Sequence, residues 1–268
     1  MIAILTVFII LTVVYILSTM CRKGHAGLKA LQGWGYAHRG LHGNGVPENS
    51  MAAFRAALEH GYGVELDVHL LKDGNLAVIH DASLKRTAGE DIQIEDLSTE
   101  DLVKYPLEGT QETIPTFQQV LDLFAGKAPI IVELKAERGN HAALTETTCR
   151  MLEAYAGVYC LESFDPRCVA WLKKNRPQLI RGQLTENFVA GKGKLHPVLK
   201  FILTHQIENF LILPDFVAYK FIDRNTLSNV LVRKFWGAQG VTWTIKTQEE
   251  YDAAVAEGWI PIFEGFCP

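Results

Sequence analysis

Gly63-Val64-Glu65-Leu66-Asp67-Val68-His69 is an apolar run broken by two acids, and only Leu70 to Asn75 separates it from a second extended run, Leu76-Ala77-Val78-Ile79-His80. No helix fits into that gap. The Asp73-Gly74 pair between apolar runs is a hairpin signal. A two-residue turn there sets Asp67 opposite His80, with Glu65 on the same face; a three-residue loop shifts the pairing by one.

Outward from this hairpin, short apolar runs recur, most of them followed by helical periodicity. They are Trp34–His38, Gly63–His69, Ile130–Leu134, Val158–Phe164, Leu179–Leu184, Phe210–Leu213, Val241–Ile245 and Ile260–Phe263. Continuous rather than alternating apolar runs indicate parallel strands covered on both faces. Eight such units predict an α/β fold, a (β/α)8 TIM barrel distorted by a β-hairpin after strand two. A doubly wound open sheet is the alternative, but no G-x-G-x-x-G turn follows the first strand. Residues 34–268 carry no repeat, low-complexity tract or Pro/Ser-rich boundary, so they are expected to form one domain.

Ile2 to Met20 carry no charge, and the run stops at Cys21-Arg22-Lys23. As a helix it reaches about 28 Å against a hydrocarbon layer of roughly 30 Å, which predicts a single transmembrane anchor over residues 1–22 and a linker over 23–33. A cleaved signal peptide competes with this, but the n-region lacks positive charge. Arg22 and Lys23 then place the C-terminal domain in the cytoplasm by the positive-inside rule. The five cysteines lack a C-x-x-C pair and suggest free thiols. A formal net charge of -4 and the absence of a basic motif with interleaved aromatics argue against nucleic acid as a partner.

Catalytic groups on such barrels collect at the C-terminal ends of strands. Those positions hold His38-Arg39, Glu65 and Asp67, His80-Asp81, Glu133 and Lys135, and Ser163. Each unpaired charge in an apolar strand costs several kcal/mol, so the charges are expected to work, although a structural ion network such as Lys135 with Glu65 is the competing account. Three carboxylates without cysteine or a histidine cluster are hard oxygen ligands, suited to Mg²⁺ or Ca²⁺. Two histidines, an arginine and a lysine beside them suit phosphate-ester chemistry, with the cations neutralising phosphoryl charge and the histidines moving protons. His69 shares parity with Glu65 and Asp67 and is a candidate for a supporting role; His42, beside a Gly-rich loop, is a weaker one. No G-x-S-x-G elbow occurs, and Gly191-Lys192-Gly193-Lys194 lacks the remainder of a P-loop.

In order, His38-Arg39-Gly40, Pro47-Glu48-Asn49-Ser50, Glu65-x-Asp67, Lys72-Asp73-Gly74, His80-Asp81, Leu84-x-Arg86-Thr87, Ile114-Pro115-Thr116, Glu133-x-Lys135, Ser163-Phe164-Asp165 and Trp243-Thr244 resemble the signature of the glycerophosphodiester phosphodiesterase family. The resemblance runs from about residue 36 to residue 257. It implies a divalent metal on Glu65, Asp67 and Glu133, with His38 and His80 as the acid-base pair. It further implies that Arg39 and Lys135 hold phosphate and that Trp243 lines the glycerol side of the pocket. Where the family usually carries Thr-Asp-x-Pro, this chain reads Phe263-Glu264-Gly265-Phe266-Cys267-Pro268.

The activity so implied is metal-dependent hydrolysis of glycerophosphodiesters to an alcohol and glycerol 3-phosphate. The expected anchor keeps open a lysophospholipase D acting on membrane lysophospholipids. A rival of another class is a barrel that has lost catalysis and binds lipid while tethered to the membrane. Leu195 to Phe216 is richer in apolar residues than one helical stripe requires, with Lys192, Lys194 and Lys200 at its start. It reads either as an outer helix followed by a strand or as a helix resting on a membrane.

Overall fold

The computed structural model describes residues 1–191 and 193–268; Lys192 lies outside the described residues. Nine strands form one sheet: β1 (Tyr36–His38), β2 (Gly63–Leu70), β3 (Leu76–Val78), β4 (Ile130–Leu134), β5 (Tyr159–Ser163), β6 (Arg181–Thr185), β7 (Phe216–Lys220), β8 (Gln239–Ile245) and β9 (Trp259–Phe263). The order β1-β9-β8-β7-β6-β5-β4-β2-β3, closed by the β1–β2 pairing, makes an eight-stranded parallel barrel with β3 added antiparallel to β2. The expected TIM barrel and its hairpin are both present.

Burial on both faces explains the unbroken apolar runs. Val64, Leu66 and Val68 pack outward with Phe54, Phe117, Val120 and Phe124 of the surrounding helices. Inward residues of the strands, including Tyr36, Ile131, Cys160, Phe216 and Ile260, form a second cluster inside the barrel. Leu28 and Leu31, from the short 3-10 helix Ala26–Leu31, pack against that cluster. Part of the expected linker is therefore a plug. A third cluster, from Leu71, Ile79, Leu84, Ile94, Leu97, Leu102, Leu107 and Ile114, gives the segment after the hairpin its own core.

Three expectations are corrected. The hairpin pairs Val68 with Val78 and Leu70 with Leu76, one residue away from the two-residue-turn register. Leu71 donates its amide to Asn75 and Gly74 donates to Leu71, so the loop is longer than Asp73-Gly74 alone, and Asp67 accepts from the Ile79 amide instead of facing His80. Next, Phe210–Leu213 is not a strand. Asn209–Ile212 is a short helix, and the strand follows at β7, after Pro214-Asp215. A four-residue apolar run fits either structure by periodicity, and proline's missing donor favours a break ahead of the true strand.

The third concerns the N-terminus. The helix spans Ile2–Ser18, and among the described residues no helix is long and apolar enough to cross a membrane, contrary to the expected transmembrane anchor. The physical reason lies at its base. The Trp236 indole donates to the Ile16 carbonyl and to Thr19 Oγ1, both at 3.1 Å. Arg22 pairs with the buried Asp215 and also donates to the Pro177 and Leu179 carbonyls. With its last turn held on the barrel, the exposed part Ile2–Val14 reaches only about 20 Å, well short of roughly 30 Å of hydrocarbon.

Gly182 marks the tightest point of the barrel interior, because a Cβ there would stand 2.1 Å from the Phe216 ring. Gly182→Ala is expected to destabilise the protein by about 1–3 kcal/mol through overpacking, read as a lower urea midpoint at unchanged m-value. An unaltered midpoint would show that Phe216 has room to move.

Candidate active site

At the C-terminal mouth of the barrel, parity brings four acids inward. Glu65 and Asp67 lie two apart on β2, Asp67 pairs in register with Glu133 on β4, and Glu133 pairs with Glu162 on β5. All four are buried. One carboxylate oxygen from each of Glu65, Asp67 and Glu133 lies within 4.8 Å of the others, the geometry expected of ligands around one cation. Asp67 Oδ1 accepts no hydrogen bond within the protein, and neither does Glu162 Oε2. These are acceptor groups without enough donors, which fits a bound divalent cation.

Positive charge approaches from two sides. Lys135 Nζ lies 2.9 Å from Glu133 and 3.5 Å from Asp67, so the ion pair expected with Glu65 is made with its neighbours instead. Arg39 holds a left-handed backbone conformation, φ 55°, so its amide reaches Glu65 Oε2 at 3.3 Å while Nη1 donates to Glu48 at 2.9 Å. Asn49, also left-handed, donates to Asp67 at 2.9 Å. Burial would raise the Asp67 carboxyl, but Lys135, His80 and Arg39 outweigh it and hold the group far below the usual range. Burial together with the Asp67 and Glu133 charges pushes Glu65 well up. Burial pushes Glu133 to about 7 despite Lys135.

The two histidines stand on opposite sides. His38 ends β1, with Nε2 3.8 Å from Glu65 Oε2. His80 Nδ1 lies 2.6 Å from Asp81, which Arg86 grips at 2.5 Å, and Arg86 also reaches Glu48. Burial lowers the His80 pKa, Asp67 opposes this, and Lys135 and Arg39 add to the lowering. Its imidazole is therefore neutral near pH 7 and able to accept a proton. His69 does not line the cavity: its ring meets Glu95, of the segment after the hairpin, at 2.7 Å and the His80 carbonyl at 3.1 Å. It holds the His80 backbone.

A cavity of about 120 Å³ is lined by His38, Arg39, Glu65, His80, Glu133 and Glu162, with Phe164, Leu184, Trp243 and Ile262 forming an apolar wall. Trp243 packs edge-to-face on Phe164 at 5.6 Å and donates to the Ala218 carbonyl. A larger hollow of about 600 Å³ lies at the N-terminal ends of β8 and β9, but Arg224, Arg233, Lys234 and Glu257 supply most of its charge and it holds neither histidine nor clustered carboxylates.

The expected residues His38, Arg39, Glu65, Asp67, His80, Glu133, Lys135 and Trp243 thus converge. Ser163 does not face the cavity, since its hydroxyl donates to the Leu134 carbonyl at 2.7 Å. Two acids escaped the sequence reading. Glu162 was legible in principle, because it shares parity with Phe164 and stands in a strand otherwise made of core residues. Glu264, which meets His38, follows the last strand and carries no local signal.

The sequence profile described as the Glycerophosphoryl diester phosphodiesterase family matches residues 38–263. The chain belongs to this family. A glycerophosphodiester phosphodiesterase of Caldanaerobacter subterraneus is 34% identical over 158 residues, covering 55% of this chain and 65% of the relative. A lysophospholipase D of Rattus norvegicus is 33% identical over 44% of this chain and 40% of its own length. These alignments span less than two thirds of either relative. Among solved structures, an Oleispira antarctica phosphodiesterase in complex with the product sn-glycerol-3-phosphate superposes with a TM-score of 0.72 at 21% identity, covering 86% of this chain and 92% of that one. At that identity the likeness shows the family's barrel fold.

Because Glu133 must lose its proton to bind a cation, affinity for Mg²⁺ or Ca²⁺ is expected to rise as pH increases from about 6 to about 8, with proton release on binding. Calorimetry in two buffers of different ionisation enthalpy checks this. Glu133→Gln should remove the Glu133 share of the proton release, leaving that of Glu65, and weaken binding, whereas binding that ignores both pH and this substitution would place the cation elsewhere.

Proposed function

We propose that the protein hydrolyses glycerophosphodiesters to an alcohol and glycerol 3-phosphate, with a divalent cation of the Mg²⁺ or Ca²⁺ class. The observation that carries this reading is three buried carboxylates gathered between two histidines at the barrel mouth of a member of this family. A cation on Glu65, Asp67 and Glu133 would supply Lewis-acid stabilisation of charge on the phosphoryl oxygens. Arg39, whose Nε makes no hydrogen bond among the described residues and stands 3.6 Å from Asp67, and Lys135 hold the phosphate from either side. His80, neutral near pH 7, takes the proton of the attacking hydroxyl, which is either that of water or the glycerol 2-hydroxyl; in the second case a water molecule then opens the cyclic phosphate to glycerol 3-phosphate. His38 gives a proton to the departing alcohol. Trp243 and Phe164 pack against the glycerol carbons and keep water off that side.

A second reading, a lysophospholipase D acting on lipid, is favoured by one observation. Ile2, Ile4, Leu5, Phe8, Ile9, Leu11 and others on every side of the N-terminal helix are exposed, and Val198, Leu199, Phe201, Phe210 and Leu211 are exposed elsewhere on the domain. Tyr15 lies edge-on to His205, which contacts Phe201, so the two apolar surfaces meet. Such a surface suits acyl chains at a bilayer interface, without a span, and the Leu195–Phe216 segment then has an exposed apolar share as well as a core share. In this reading Lys23 and Lys29 would meet anionic head groups.

His38→Ala and His80→Ala should each lower kcat on glycerophosphocholine by at least about 10², with metal affinity retained. Near-normal turnover in either variant would refute the pairing. Parallel assays with lysophosphatidylcholine separate the two substrate readings. Deleting residues 2–18 should leave glycerophosphocholine turnover intact; if flotation with anionic liposomes is also unchanged, the lipid reading fails.

A further inference from the structure

The two site histidines are held in the same manner from opposite sides. Each presents Nδ1 to a carboxylate outside the metal cluster, His80 to Asp81 at 2.6 Å and His38 to Glu264 at 2.7 Å. The partner of His80 is its chain neighbour, whereas that of His38 comes from the far end of the sequence. Glu264 follows β9, and its amide donates to the Ile245 carbonyl at 2.9 Å, which fixes the residue against the end of β8. Gly265, at φ 83°, turns the chain away immediately afterwards. The carboxylate is thus delivered to one place by the barrel's closing pair of strands.

Glu264 is ionised. The hydrogen bond from His38 is the main reason its carboxyl sits at about 2, and Lys246 Nζ, 3.9 Å from Oε1, adds to this. An ionised carboxylate only accepts hydrogen bonds, so Nδ1 of His38 must carry a proton, and Nε2, the atom 3.8 Å from Glu65, is the nitrogen left to exchange a proton with the site. A ring free to rotate or to change tautomer would spend part of its time with the wrong nitrogen at the phosphate.

We propose that Glu264 is the positioning residue of His38: by holding Nδ1–H it fixes the ring's orientation, so that Nε2 is the nitrogen that takes up a proton, forming the imidazolium that the carboxylate stabilises, and then delivers that proton to the leaving alcohol. His42 Nε2 makes no hydrogen bond among the described residues, and one ligand atom from each of His38, His42 and Glu264 lies within 4.8 Å of the others, a spacing that also suits a metal site. That alternative is an outcome of the test.

The proposal rests on the phosphodiesterase reading for its kinetic consequence but not for its structural one. Glu264→Gln keeps the size and removes the charge. It is expected to lower kcat on glycerophosphocholine about 10- to 100-fold with KM within about twofold, while Glu264→Asp recovers part of the rate. Independently of any substrate, ¹⁵N NMR of the ring should show His38 as the Nδ1–H tautomer in the native protein and as a mixture in Glu264→Gln. If the native protein cleaves no glycerophosphodiester, the substrate reading fails and the NMR result still decides the role of Glu264. An unchanged His38 tautomer in Glu264→Gln overturns the proposal. So does a second equivalent of bound cation that disappears in both Glu264→Gln and His42→Ala.

Discussion

Four carboxylates buried side by side at one end of a barrel form the constraint around which the rest of this structure is arranged. Glu65, Asp67, Glu133 and Glu162 are all removed from water, and like charges at this spacing oppose ionisation of the group as a whole. Lys135 and Arg39 return only part of the lost hydration. The electrostatic demand for a further cation is therefore built into the strand register, which places Asp67 beside Glu133 and Glu133 beside Glu162. A one-residue slip of β4 would turn Glu133 outward among the covering helices and remove the cluster.

Around this centre runs a ring of paired charges whose members also hold one another in place. Glu48 accepts from both Arg39 and Arg86, Arg86 grips Asp81, and Asp81 holds His80. His69, buried beneath, ties the His80 backbone to Glu95 of the hairpin lobe. The lobe core built on Leu84, Ile94, Leu102 and Ile114 thereby supports the position of a histidine it does not touch directly. This accounts physically for so long an insertion after a two-strand hairpin: it supplies the rigid backing that a ring on a strand-end loop lacks.

Much of this was legible in the sequence because burial and parity are local properties. Seven of the eight expected parallel strands lie close to where their apolar runs stand, and Glu65, Asp67 and Glu133 faced inward as two-residue periodicity required. The failures share a cause. Phe210–Leu213 is apolar because a short helix buries Ile212 beside the barrel, and periodicity over four residues does not distinguish that from a strand. Glu264 meets His38 across 226 positions, and no spacing rule reaches that far. The N-terminal run is as apolar as a membrane span, yet the Trp236 and Asp215 contacts that commit its base to the barrel come from more than 190 residues away.

The two ends of the barrel divide the work of folding and chemistry. At the N-terminal end the interior is filled by Tyr36, Ile131, Cys160 and Phe216 and closed by Leu28 and Leu31, with Gly182 surrendering its side chain so that Phe216 fits. This packing contributes hydrophobic stabilisation and excludes water from below the carboxylates. At the other end the same strands carry charges that cost stability, and the apolar plug offsets that cost within a single layer of side chains. The low dielectric it maintains is also what makes Lys135 and Arg39 effective at short range, since a charge pair weakly felt in water interacts several times more strongly there. The apolar layer is thus a functional part of the site, and its upper members Leu184 and Ile262 form part of the cavity wall.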